Sequence, residues 1–542
     1  MLPTDIRNKN DINRYVHISD SRIWNQFSSK ADTFMKYTSN YAHQDISPGG
    51  YYSAIWMRDA AYILKDRFLL AGNSILAVLE QILLIWSHQI NSIPTDKEKK
   101  IVYGRGSPET NFKPLTKDIA EISKKFNGAL PTTIYQDFCD IYGLNPDIDS
   151  TALMISSTSW ILFKLLNEKL LANVNNTINI ADDSTVSITN YQSLYKRDSS
   201  LSTSDFLVNV IKYLIPRMLN AVKYLRNRDI DNDGLVEQEY NEDWMDTALR
   251  AGKVVYSQAC WILALQNLSL LLTKLGDFEA AHSMMILAST TVNAVEEILW
   301  SEENACYMDV LQGSYVPKQQ EEASISIASS STTILTQDVS LYLVAVTENI
   351  TERAKNNSNY NNCLLYSRKR MIDGTGNTDD NDVNYQIIKI LQRATKTLDT
   401  LKSRIWKNQW PLVTEDVLKT TGPWVLKPNQ YHNHTFWPWI TAIEMLARSR
   451  FTRYEECDIL LSRLTTECSP NILSFYEWID PITAQGNGAF PFRTGISAVR
   501  IAIFDILDSN NNSNIKYILA SDEKTNKTKK ESIEKVINLE HL

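Results

Sequence analysis

VVYSQACWILALQNLSLLLTKLGDFEAAHSMMILASTTVNAVEEILW, Val254–Trp300, carries apolar residues at helical spacing along nearly its whole length. It reads as two helices, Val254–Leu275 and Phe278–Trp300, joined by two residues into a hairpin. The same unit recurs on either side. Upstream, helices are expected at Ser21–Thr38, Trp56–Leu70, Ser74–Gln89, Ser150–Asn167 and Thr203–Arg226. Downstream they are expected at Thr333–Val346, Val383–Arg404, Thr435–Arg448, Tyr454–Thr465 and Thr494–Leu507. Strand signals are few: Thr185–Thr189 and Cys306–Leu311. Long connections lie at Asn91–Asp118, Asn127–Asp149, Glu303–Ser330, Trp406–Asn433 and Pro470–Arg493, and several are rich in Trp, Tyr, Pro and Gly. Such loops in a compact protein usually carry function. A helical solenoid would show short loops and a fixed period, and neither is present. The expectation is an all-α protein, about twelve helices forming six hairpins closed into an (α/α)6 toroid with long functional loops on one face. Its parts would be an N-terminal extension at 1–20, the barrel at 21–508 with insertions at 173–204 and 354–382, and a polar tail at 509–542.

Composition narrows the class. Hydrophobic residues make up 43% of the 542, enough for a large core. Only 17 Gly and 16 Pro argue against a many-turned β-architecture. The net charge of −8 weighs against nucleic acid as a partner. The N-terminus lacks the apolar core of a signal peptide. The most apolar stretch considered for a membrane span, Ser74–Ser87, is interrupted by Glu80 and Gln81 and reads as a core helix. Six scattered cysteines without a CxxC read as reduced thiols, so a cytoplasmic protein without membrane association is expected. The 13 Trp, 25 Tyr and 15 Phe exceed ordinary core needs, and flat apolar-faced ligands such as sugar rings are one use for them.

Three segments concentrate polar chemistry beside aromatics. In Ile55-Trp56-Met57-Arg58-Asp59-Ala60, Asp59 can accept from hydroxyls, Arg58 can donate and Trp56 can stack; the plainer reading is an acidic residue favoured at a helix N-terminus. In Asp229–Leu235 the D-x-D-x-D-G spacing imitates a calcium loop, but Tyr240 stands where the twelfth-position Glu belongs, so a tight turn is preferred. There follow Asp243, Trp244 and Asp246; a carboxyl beside an indole suits a raised-pKa acid, and either Asp243 or Asp246 could serve. In Phe475–Pro481, Glu477 is a second carboxylate among aromatics, beside Trp478. An inverting glycosidase needs an acid and a base roughly 6.5–9.5 Å apart, and only a chain that closes on itself can bring residues 246 and 477 that near. The run Tyr431–Trp439, with His432, His434, Trp437 and Trp439, is too polar for ordinary core and could line a sugar pocket. Its two histidines lack an evident third ligand, so no metal and no cofactor are expected.

In this order the segments resemble the glucosidase domain of glycogen-debranching enzymes, within the wider (α/α)6 glycoside hydrolases. The likeness rests on Trp56–Ala60, Gly128–Pro131, Asp149–Leu153, Asp231–Leu235, Asp243–Thr247, Gly252–Val255, Ala259–Trp261, Tyr431–Trp439 and Glu477–Asp480. The resemblance implies an inverting exo-acting α-glycosidase, an α-glucosidase in the first instance, with carbohydrate as its partner. Asp246 would be the general acid and Glu477 the general base. Trp56, Arg58, Asp59, Asp243, Trp244, Lys253, His432, His434, Trp437, Trp439 and Trp478 would bind substrate. Asp243 stands where the family has Thr, and Met57 and Ala60 also depart from its pattern. The alternatives are hydrolysis of a small α-glycoside of the trehalose or glycosylglycerate type, or a non-catalytic glycan-binding barrel.

Overall fold

A computed structural model describes residues 21–39, 45–70, 75–91, 100–105, 113–115, 119–167, 203–248, 250–311, 335–355, 380–415, 426–465 and 475–511. Thirteen helices lie among them: α1 (Ser21–Thr38), α2 (Met57–Leu70), α3 (Ile75–Trp86), α4 (Ile119–Lys125), α5 (Ile148–Asn167), α6 (Thr203–Arg226), α7 (Val255–Leu275), α8 (Phe278–Ala294), α9 (Ser340–Lys355), α10 (Asp380–Thr400), α11 (Pro438–Arg450), α12 (Tyr454–Thr465) and α13 (Arg493–Asn511).

Packing sorts them into two layers. α2 packs on α5, α5 on α7, α7 on α9, α9 on α11, α11 on α13, and α13 back on α2, which closes an inner ring of six. α1, α3, α6, α8, α10 and α12 alternate with these along the chain as the outer layer. The sequence dictates the sorting. α7 is apolar around its whole circumference and is buried from Val255 to Leu272 almost without interruption, as a helix walled in on every side must be. By length and composition it could cross a membrane, but here its most apolar stretch is almost wholly buried within the ring. α1 and α10, with a polar face each, stay outside. The hairpin turn after α7 is short because Gly276 takes φ +85°, a left-handed cap whose N–H reaches the Thr273 carbonyl, and Asp277 then caps α8 by accepting from Ala280 N–H at 3.1 Å.

Ring closure is also polar. Arg500 of α13 donates to Asp66 of α2 at 3.0 Å and to the Met35 carbonyl of α1 at 2.8 Å, while Ser497 donates to the same Asp66. Lys30 of α1 pairs with Asp458 of α12 at 2.7 Å, tying the first described helix to the last hairpin.

Short turns join the inner helices to the outer ones where the connection is described: two residues after α7, three after α11. Every long described connection runs the other way, from an outer helix to the N-terminus of the next inner one. These loops carry the strands. β1 (Ile55–Trp56), β2 (Lys100–Tyr103), β3 (Thr133–Ile134) and β4 (Phe138–Ile141) form one sheet in the order β1-β3-β4-β2, with β2 and β4 parallel. Four two-stranded ribbons follow: β5 (Lys253–Val254) with β8 (Val310–Leu311), β6 (Trp300–Ser301) with β7 (Cys306–Tyr307), β9 (Trp406–Lys407) with β10 (Trp410–Pro411), and β11 (Trp478–Asp480) with β12 (Gln485–Asn487).

The sequence reading differs in three respects. α4 and most of the strands were not expected. The helices expected at Phe278–Trp300 and Val383–Arg404 end in single π-turns, Val295–Leu299 and Leu401–Ile405, each leading straight into a ribbon. The helix expected at Thr333–Val346 begins later, at Ser340, and runs to Lys355. The strand expected at Thr185–Thr189 and nearly all of the two expected insertions lie outside the described residues, as do the 1–20 extension and the tail beyond 511.

Candidate active site

All six inner helices present their N-termini to the end where the long loops gather, so their dipoles and unpaired N–H groups favour anions there. At this mouth lies a partly open cavity. Pro48, Tyr52, Trp56, Arg58, Asp59, Trp244, Asp246, Tyr431, Trp437, Trp439, Glu477, Phe492 and Thr494 line it.

Glu477 sits just before the β11–β12 ribbon and is 2% exposed. Its carboxylate is gripped by donors: Tyr52 Oη at 2.6 Å and Tyr431 Oη at 3.4 Å on Oε1, Tyr51 Oη at 2.9 Å and the Ala489 N–H at 2.9 Å on Oε2. Burial pushes its pKa up, and the four donors pull it back toward the ionised form. The ribbon is tied to the Tyr431–Trp437 segment by the reciprocal backbone pair Phe436–Ile479, which delivers Tyr431 to the same carboxylate. Gly488 makes the geometry possible: its φ is +74°, and a Cβ there would lie 2.3 Å from Glu477 Oε2.

Asp246 is the opposite case. Its Oδ1 is buried and accepts no hydrogen bond. Burial pushes its pKa to about 7; Arg58 opposes the shift and Glu477, Asp243 and Asp149 add to it. Its nearest basic group is His432 Nδ1, 3.9 Å away. That ring is held neutral by burial, with Arg58 and Arg250 adding to the effect, and its Nδ1 contacts Thr247 Oγ1 at 2.8 Å.

Asp243 plays a different part. It accepts from Met245 N–H and Gln238 Nε2, each at 2.8 Å, and pairs with Arg250 at 3.2 Å. Arg250 also binds Asp309 at 2.6 Å and Asp338 at 3.1 Å, and Trp244 Nε1 donates to Asp338 at 2.7 Å. Asp243 therefore anchors the loop that aims Asp246 rather than facing the cavity.

Arg58 and Asp59 start α2. Arg58 Nε binds Asp149 at 2.6 Å, and its Nη2 lies 3.5 Å from Asp147; both acids come from the start of α5. Asp59 accepts from Thr494 of α13, and burial raises it to about 6, with Arg58 opposing. Trp244, Trp437 and Trp439 meet edge to face, Trp244 with its centroid 5.4 Å from Trp437 and 5.1 Å from Trp439. Trp437 Nε1 donates to the Tyr431 carbonyl at 3.0 Å.

Four further residues expected at the substrate stand apart from the lining. Lys253 points into the Asp229–Asp233 turn and binds Asp231 at 2.6 Å and also Asp233, so its ammonium occupies the place a cation would take among those carboxylates. His432 lies behind the wall, between Trp244 and Trp437. His434 turns the chain at φ +54°, its N–H donating to Thr414 Oγ1 at 3.3 Å. Trp478 alternates with Glu477 along the strand and packs edge-on to Tyr431. Conversely, Pro48, Tyr51, Tyr52, Phe492 and Thr494 were not singled out from sequence. Only the Gly49-Gly50-Tyr51-Tyr52 run, a turn signal beside aromatics, offered a hint.

No protein-family profile and no curated protein matches the sequence. Among solved structures, the chain is similar to the glucoamylase from Saccharomycopsis fibuligera, with a TM-score of 0.50 and 12% identity over 89% of this chain and 96% of that one. It is also similar to the mannosylglycerate hydrolase from Thermus thermophilus, with a TM-score of 0.47 and 14% identity over 88% and 99%. At 12% identity the likeness to the glucoamylase speaks to architecture, and it agrees with the ring traced above: the chain has the (α/α)6 toroid fold.

Proposed function

We propose that the chain is an inverting, exo-acting α-glycosidase. One observation carries the reading. Two carboxyl groups face one aromatic cavity in unlike surroundings, Asp246 with a buried oxygen that accepts no hydrogen bond and its pKa pushed up to about 7, and Glu477 clamped as an acceptor by three phenols and an amide that favour its ionised form. Divergent environments of this kind divide acid from base. Asp246 protonates the glycosidic oxygen and Glu477 draws a proton from the attacking water. Arg58, Asp59 and the tryptophans grip the terminal sugar. Exo action is what the resemblance to glucosidase domains implies, and the aromatic lining of the cavity suits the apolar face of a terminal ring. The ordered likeness to debranching-enzyme glucosidase domains supports glucose as that ring, at the ends of α-glucan or oligosaccharide chains.

A panel of α-glucosides, α-mannosides and small glycosides tests this, with the released anomer followed by NMR. β-Anomer should appear first, and prompt α-anomer would contradict inversion. Asp246→Asn and Glu477→Gln should each lower kcat by roughly 10³-fold or more while circular dichroism stays unchanged. Near-normal turnover by both would overturn the assignment. An α-glycosyl fluoride, whose leaving group needs little protonation, should be spared in Asp246→Asn relative to an alkyl glycoside.

A further inference from the structure

The aromatic wall to which Trp56 belongs does not end at the cavity. Trp56 lies on β1, and the sheet register places it opposite Thr133, which in turn is opposite Asp140. Alternation along β4 puts Phe138 and Asp140 on that same face, and Tyr142, one residue past the strand, reaches it through its contact with Trp56. Tyr135, opposite Phe138 across the β3–β4 turn, belongs to it too. The side chains form a continuous ladder. Trp56 meets Tyr142 edge to face with centroids 6.1 Å apart. The Arg105 guanidinium lies 5.9 Å from the Tyr142 ring and 5.9 Å from the Tyr135 ring, while pairing with buried Asp140. Tyr135 stacks on Phe138 at 4.3 Å and 14°. Tyr135, Phe138 and Tyr142 are half-buried, and the Arg105 side chain is 38% exposed. These rings are partly exposed, and the row begins at a residue of the cavity itself.

Its direction follows from the acid. A general acid must stand at the glycosidic oxygen, so groups beside it and outside the cavity face the leaving group. Tyr142 is near enough to Asp246 for that carboxylate to help retain the phenol proton, after burial the main cause. We infer that this face of the four-stranded sheet is a leaving-group subsite, which takes a second, uncharged pyranose ring, the sugar next to the one cleaved. The inference rests on the glycosidase reading. It selects a neutral sugar over an anionic leaving group because the Arg105 charge is already met by Asp140.

The test separates leaving group from terminal sugar. Tyr135→Ala and Tyr142→Leu each remove one ring from the ladder. Arg105 is left in place, because its loss would strand a buried carboxylate. Kinetics are compared on an oligosaccharide and on the α-glycosyl fluoride of the same terminal sugar, whose leaving group has no ring to bind. The expected result is a fall in kcat/KM of about tenfold on the oligosaccharide, the upper range of one aromatic contact, with the fluoride unchanged within twofold. Tyr142→Phe, which keeps the ring, should behave as wild type on both. Equal losses on both substrates, or none on either, would overturn the subsite and leave the glycosidase reading standing. A wild-type protein that hydrolyses neither substrate would refute the glycosidase reading and the subsite with it.

Discussion

Tyr52 shows how a single side chain sets the working range of the proposed reaction. Its O–H donates to Glu477, which favours the carboxylate. Tyr52→Phe should raise the Glu477 pKa, so the acidic limb of the kcat/KM profile should move to higher pH, while the alkaline limb, set by Asp246 near 7, stays close to its place. Asp246 also bears on stability. Its folded pKa of about 7 lies above its unfolded value near 3.8, so the protein gains from its protonation at low pH and loses that gain as pH rises through 7. Asp246→Asn removes this loss. It should stabilise the protein by roughly 1–3 kcal/mol at pH 8 and by less at pH 5, as read by denaturant unfolding. The two carboxyls were legible from sequence because each stands beside tryptophan. Their partners Tyr51 and Tyr52 were not, since a tyrosine more than 400 residues away in sequence carries no local sign of the acid it will meet.

At the scale of the element, the β11–β12 ribbon and the loop from Asn227 to Lys253 are the parts that aim the carboxyls. Gly488→Ala would drive a methyl against the Glu477 carboxylate in a left-handed backbone. The expected result is a folded protein with turnover reduced by about 10²-fold, since small displacements of a reacting group are costly. Arg250→Ala would leave Asp243, Asp309 and Asp338 buried without their shared cation. It should destabilise by about 3–5 kcal/mol in a denaturant titration. Helices were largely readable from the spacing of apolar residues, α1, α6 and α12 to the residue. The ribbons were not, because strands of two or three residues are too short for a period-2 pattern to register. Lys253 was misplaced for a related reason: the Asp229–Asp233 turn that claims it comes close only after the backbone of Gln238 and Gly252 has paired.

For the whole molecule, the ring is the device that makes the site. Asp246 lies in the loop before α7 and Glu477 just before the ribbon that leads into α13, and they line one cavity because the inner helices close on themselves. Nothing in a local window of sequence states that closure. It was inferred from the number of hairpins and the length of their loops. Closure also sets a schedule. Asp246, Arg58 and most of the tryptophans leave the ribosome well before Glu477, and α13 with Thr494 and Arg500 is later still. Contacts of such long sequence separation form late and slowly. On the proposed roles, a nascent chain therefore carries the acid without the base, and the two face one cavity only once α13 has closed the ring. On that reading, the order of synthesis keeps the two halves of the chemistry apart until the circle is complete.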